Sequence, residues 1–145
     1  MARSSTRRLV SAAITVVVLA GPLVIAAPTP AGAANGGVTV TSYATPPSTD
    51  ARAITTGPDG ALWFVDGFAA GGRIGRITTR GAYTFFGNPR IDDPVGITTG
   101  PDGAIWFTNF GDDSIGRITT KGAVTSWTSP AIRQPGKITV GPDGA

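Results

Sequence analysis

Apolar residues along this chain come in two kinds of run. From Leu9 to Ala27 they are almost continuous, broken only by small or turn residues such as Gly21 and Pro22. Beyond residue 37 they come in short clusters such as Ala61–Val65 and Ala104–Phe107, separated by Gly, Pro, Asp and Thr. Within the clusters, Trp63 and Phe64 are adjacent, as are Trp106 and Phe107. Neighbours on a strand point to opposite faces of the sheet. Ile74 and Ile77, and likewise Ile115 and Ile118, also fall on opposite faces. A sheet with one wet face alternates apolar and polar residues. Here both faces call for cover. No stretch outside the N-terminal run sustains a 3.6-residue period, so almost no helix is expected.

The clusters repeat. Ile54-Thr55-Thr56-Gly57-Pro58-Asp59-Gly60-Ala61-Leu62-Trp63-Phe64 returns as Ile97-Thr98-Thr99-Gly100-Pro101-Asp102-Gly103-Ala104-Ile105-Trp106-Phe107. It begins again at Ile138 as Ile-Thr-Val-Gly-Pro-Asp-Gly-Ala. The opening Ile residues are 43 and then 41 positions apart. A period near 40 made of short strands is the pattern of a β-propeller blade, which buries its faces against neighbouring blades. In the second copy the strands are expected near Val95–Thr99, Ala104–Thr108, Ser114–Thr119 and Ala123–Thr128. Gly100-Pro101-Asp102-Gly103 joins the first two: Pro presets φ, Asp suits the next position, and Gly supplies positive φ. Thr120-Lys121-Gly122 is a second hairpin loop ending in Gly.

The first copy is preceded by Thr41-Ser42-Tyr43-Ala44-Thr45-Pro46, which matches Thr125-Ser126-Trp127-Thr128-Ser129-Pro130 at the end of the second. The segment near 37–46 therefore reads as the outer strand of a blade whose other strands lie elsewhere. Such a strand closes a ring and removes an exposed edge. The expected organisation is a closing strand, a blade over 51–93, a blade over 94–134, and the start of another over 135–145. This is an all-β partial β-propeller, with missing C-terminal blades needed to close the ring.

The N-terminal run changes the charge argument. Arg3, Arg7 and Arg8 precede it and Ala31-Gly32-Ala33 follows it, the layout of a secretory signal peptide cleaved near Ala33/Ala34. Residues 1–33 are thus expected to be removed and the rest secreted, with no membrane association afterwards. Three of twelve basic residues leave with the signal, so nine remain against nine acids. No basic cluster survives to suggest nucleic acid. Every acid is Asp, and the chain has no Glu, His or Cys. A secreted chain without Cys has no disulfide framework.

The motif I-T-x-G-P-D-G-A-[LI]-W-F, followed by I-G-R-I-T-T-x-G, resembles the repeat of the virginiamycin B lyase (streptogramin lyase) family over about residues 37–145. The resemblance implies a seven-bladed propeller of roughly 290 residues. It implies a C–O lyase that linearises streptogramin B-type cyclic depsipeptides by β-elimination, with Mg2+. In that chemistry a base removes a proton α to a carbonyl and a metal stabilises the charge that develops. With no His or Glu, none of the family's catalytic residues maps onto a position here, and these residues alone are expected to be inactive. The alternative is a non-catalytic secreted propeller that binds a small molecule, peptide or protein.

Most recurring residues read as structure. Asp59, Asp102 and Asp143 occupy one repeat position and suit turns better than a ring of metal ligands. Arg76 and Arg117 recur in Ile-Gly-Arg-Ile and are expected to pair with a neighbouring strand or blade. Trp63 and Trp106 read as inter-blade core, and Trp127 as outer-strand packing. Asp92-Asp93 and Asp112-Asp113 read as solvated loop carboxylates, so no metal site is expected. The copies differ in length between Phe64 and Ile74, and loops that vary within repeats often form the binding face. The ligand-facing candidates are accordingly Asp66, Phe68, Asn109 and Phe110.

Overall fold

Strands and turns, without a helix, make up the described residues, which are 13–17, 40–67 and 71–144 of a computed structural model. The chain divides into a unit over 1–47 and another over 48–145. In the first, β1 (Ala13–Val17) pairs antiparallel with β2 (Val40–Ala44), Ala13 opposite Ala44 and Val17 opposite Val40. The segment expected as a closing strand is thus extended, and its described partner lies inside the apolar N-terminal run. The Ala31-Gly32-Ala33 motif lies outside the described residues.

The second unit holds two four-stranded antiparallel meanders. The first runs β3 (Ala51–Thr56), β4 (Leu62–Asp66), β5 (Arg73–Ile77) and β6 (Tyr83–Phe86), in that spatial order. The second runs β7 (Pro94–Thr99), β8 (Ile105–Asn109), β9 (Ser114–Ile118) and β10 (Val124–Thr128), also in sequence order. Each is one copy of the repeat. Gly60 and Gly103 take φ of 72° and 70° to close the first hairpin, and Gly81 and Gly122 close the third at 83° and 88°. These values lie in the left-handed region, where a Cβ is disfavoured.

Both faces of each sheet carry apolar side chains, as the adjacent aromatics require. On β4, Trp63 and Phe64 point opposite ways and both are fully buried. The core lies between the two sheets. Trp63, Val65 and Ile74 of the first meet Ile97, Ile105, Phe107 and Ile118 of the second. The register makes each set coplanar, because Val65 pairs with Ile74, Ile97 with Phe107, and Ile105 with Ile118. The Trp-bearing face of one copy therefore packs on the Phe-bearing face of the next. Burying each of these large side chains contributes about 1.5–3 kcal/mol. Trp63 also stacks on Phe86, with ring centroids 5.3 Å apart.

The Phe-bearing face explains the Gly of Ile-Gly-Arg-Ile. Phe64 lies opposite Gly75, and Phe107 opposite Gly116. A Cβ on either glycine would sit 2.1 Å from the ring's Cζ. The opposite, Trp-bearing face of the second sheet meets the start of the third copy. Thr108 Oγ1 donates to Gly136 O at 2.6 Å and accepts from Gly96 N at 2.8 Å.

Candidate functional site

The meander sorts the loops to two edges. Pro-Asp-Gly turns and Thr-Thr-x-Gly loops lie at one edge. The starts of β3, β5, β7 and β9, the ends of β4, β6, β8 and β10, and the connections between copies lie at the other.

At the turn edge the two copies are built alike. Asp59 Oδ1 accepts from Trp63 Nε1 at 3.0 Å and from Ala61 N at 3.3 Å, while Oδ2 accepts from Arg76 Nε at 2.6 Å. Asp102 repeats this with Trp106 at 3.0 Å, Ala104 N at 3.2 Å and Arg117 at 2.6 Å. One carboxylate thereby ties the turn to the second and third strands. The Arg117 bond, followed by that from Trp106, lowers the Asp102 carboxyl to about 2. For Asp59 burial is the largest influence and pushes upward. The bonds from Trp63, Arg76 and Ala61 outweigh it, so its carboxyl is also lowered. Both copies hold these groups in the same bonds, which leaves the turn edge engaged in structure.

At the connector edge the copies diverge, and the sequence candidates lie here. Asp66 ends β4 and is fully buried. Its Oδ1 accepts from Asp50 N at 2.7 Å and its Oδ2 from Arg73 Nε at 2.6 Å. Arg73 lies over the Phe85 ring at 3.8 Å and donates to Ser48 O at 3.1 Å. Asn109, its counterpart, is equally buried. It accepts from Asp92 N at 3.1 Å and donates to Arg90 O and Ser114 Oγ, each at 2.8 Å. Both side chains hold the incoming connection onto the strand end. Phe110 is exposed at 41%. Phe68 lies outside the described residues.

The loop carboxylates are engaged unequally. Asp112 accepts from Ser114 Oγ at 2.6 Å and Asp113 from Gln134 N at 2.6 Å. Asp93, at φ 45°, accepts from Arg52 Nη1 at 2.7 Å. Asp92 lines a shallow hollow of about 450 Å³ with Gly72, Arg73, Asn88 and Ile91. Among the described residues no three His, Cys, Asp or Glu side chains gather as a metal site.

Sequence reading passed over Arg52. It sits in a β-bulge at the start of β3, between Ala51 and Ala53. Its Nε donates to Asp50 at 3.1 Å and its Nη1 crosses to Asp93 on the connection between copies. Asp93 first, and Asp50 second, raise the guanidinium's already high pKa. The signal for it was available. In alignment Arg52 falls against Val95, and Gly67 against Phe110.

Residues 29–145 match the family model described as the virginiamycin B lyase family. Among solved structures, the chain is similar to a catalytically inactive His-to-Ala variant of virginiamycin B lyase from Staphylococcus aureus with quinupristin. That match has 37% identity and a TM-score of 0.63, over 71% of this chain and 36% of that one. It is similar at 37% identity and a TM-score of 0.67 to a streptogramin B lyase, over 75% of this chain and 37% of that one. A Bacteroides caccae protein of unknown function, 15% identical with a TM-score of 0.51, shares the fold. No curated protein matches. The chain spans just over a third of the length of the lyases it matches. Two four-stranded repeat sheets stacked Trp-bearing face on Phe-bearing face, and the family match over residues 29–145, lead to one conclusion: this chain belongs to the virginiamycin B lyase family.

Proposed function

We propose that this chain forms part of a secreted β-propeller lyase that opens streptogramin B-type cyclic depsipeptides, and that its connector edge contributes one wall of the ligand site. The observation that carries the reading is the contrast between the two edges. The turn edge repeats the same bonds in both copies, whereas the connector edge varies in length, sequence and exposure. Ligand sites on repeat folds concentrate on the edge that varies. The described residues offer binding and positioning rather than proton transfer. The chain has no His, and its buried Asp66 is committed to Arg73 and the Asp50 backbone. In this reading the base that removes the α-proton, and the ligands of the Mg2+ ion, come from blades outside these 145 residues. Mg2+ would supply charge stabilisation there.

A chimera tests this. Residues 40–144 replace the aligned third of the Staphylococcus aureus enzyme, and quinupristin is incubated with Mg2+ and followed by mass spectrometry. A folded chimera is expected to linearise the ring, while this chain alone leaves it intact. A folded chimera that neither binds nor opens quinupristin rejects the reading in favour of a propeller with a different ligand.

A further inference from the structure

The first strand of each copy has a register shift near its start, between Ala51 and Ala53 and between Pro94 and Ile97, but what it presents differs. In the first copy Arg52 sits in the bulge and its guanidinium occupies the space over Gly67, where a Cβ would meet Cζ at 2.2 Å. In the second, Val95 sits in the equivalent bulge and the position of Gly67 carries Phe110. Gly67 N and Phe110 N make the same bond, to Asp50 O at 3.0 Å and Asp93 O at 3.1 Å. The backbone is thus conserved between copies while a cation is exchanged for a ring. Both residues bond Asp93, one through its side chain and the other through its backbone. Arg52 bonds the Asp93 carboxylate at 2.7 Å and Phe110 bonds the Asp93 carbonyl through its backbone.

Asp93 itself takes a positive φ of 45°, uncommon for a residue other than Gly. Strained backbone of this kind clusters at ligand sites, and bulges re-aim side chains there. Both groups stay accessible, with the Arg52 side chain at 39% and Phe110 at 41% exposure. Arg52 has two of its donor atoms committed to carboxylates, and its Nη2 bonds no acceptor among the described residues.

We propose that Arg52 and Phe110 form a paired recognition subsite at the connector edge. It takes a cyclic peptide-type ligand that carries an apolar or aromatic ring beside an amide or ester carbonyl. Phe110 packs against the ring, in the offset or edge-on geometries aromatic pairs prefer. Arg52 donates Nη2 hydrogens to the carbonyl, and its ion pairs with Asp50 and Asp93 orient the guanidinium. A flexible Arg loses rotamer freedom when it binds, and anchoring beforehand reduces that cost. The subsite deepens the functional reading above and rests on it.

The test measures quinupristin binding to the full chain by calorimetry, with Phe110→Ala, Arg52→Gln, and the double variant Val95→Arg, Phe110→Gly. The double variant installs in the second copy the pair that the first already accommodates, so folding is expected to survive. Phe110→Ala and the double variant are expected to weaken binding about tenfold, equivalent to about 1.4 kcal/mol. Arg52→Gln is expected to weaken it several-fold. If wild type binds and all three variants bind equally well, the subsite is wrong and the family reading stands. If wild type does not bind while the chimera opens the ring, the subsite is again wrong and the reading stands. If neither binds nor reacts, both fall.

Discussion

Replacing Asp59 by Ala should destabilise the protein more than replacing Asp102 by Ala, although the two carboxylates make the same bonds. Each substitution removes an acceptor for a Trp Nε1, an acceptor for a turn N–H, and an ion pair with Arg. The difference is in what surrounds them. Trp63 is fully buried under the second sheet, while Trp106 is partly open. Deprived of Asp59, the Trp63 N–H has poor access to water, and a buried donor left unpaired costs about 1–3 kcal/mol. Water can replace Asp102 at Trp106.

The ion pairs are similar and partly screened, with side-chain exposures of 23% and 21% for Arg76–Asp59 and 27% and 37% for Arg117–Asp102. Each contributes at most about 1 kcal/mol at such exposure. Asp59→Ala should therefore cost about 2–3 kcal/mol and Asp102→Ala about 1 kcal/mol. For a unit of this size about 1 kcal/mol moves the melting temperature by about 4–8 °C. Thermal or urea unfolding followed by circular dichroism reads both. Asp59→Asn keeps the acceptor for Trp63 and loses the ion pair, so it should fall between wild type and Asp59→Ala. Equal losses for the two Ala variants, or a larger loss for Asp102→Ala, would refute the argument that burial of the Trp sets the cost.

Two further outcomes follow from the same geometry. Gly75→Ala and Gly116→Ala each push a Cβ to 2.1 Å from a fully buried Phe ring and should cost about 3 kcal/mol; pairing Gly116→Ala with Phe107→Leu should recover part of that in urea unfolding. Because the folded Asp102 carboxyl sits at about 2, below the usual range near 4, it stabilises the fold above pH ~4 and loses this as pH falls through ~2. After allowance for its exposure the loss is about 1 kcal/mol, and an acid titration of the unfolding midpoint should be flatter in Asp102→Asn.

Much of the fold was legible because the repeat states it more than once. The four strands expected in the second copy formed within two residues of their expected ends. Adjacent apolar residues on one strand demanded cover on both faces, and only stacked sheets supply it. The partners of the turn aspartates were harder to see. Sequence reading gave Asp59 and Asp102 to the turns and expected Arg76 and Arg117 to pair with a neighbouring strand or blade. The carboxylate instead joins turn, Trp and Arg across two hairpins, and the contact depends on a register that spacing alone does not fix. Arg52 was passed over for a related reason. Its bond reaches 41 residues along the chain, and the only trace in the sequence is the mismatch with Val95 when the two copies are aligned.

A two-copy repeat carries its own control for telling structure from function. Residues that keep both identity and bonds between copies, such as Asp59 with Asp102 and Gly75 with Gly116, maintain the blade. Residues that change together also maintain it. Buried Asp66 pairs across the register with Arg73, and buried Asn109 with Ser114. A buried carboxylate requires a cation, and a neutral amide is satisfied by a hydroxyl. Exchanging both partners preserves the connection to the preceding loop. Arg52 with Gly67, and Val95 with Phe110, follow the exchange rule in volume and break it in outcome. Each pair has one large and one small member, so the backbone is undisturbed, yet each leaves its large member exposed to solvent with chemistry unlike the other's. Packing explains the swap in size. It gives no reason for a charged group in one copy and a ring in the next, and the proposed ligand spanning the two blades would give one.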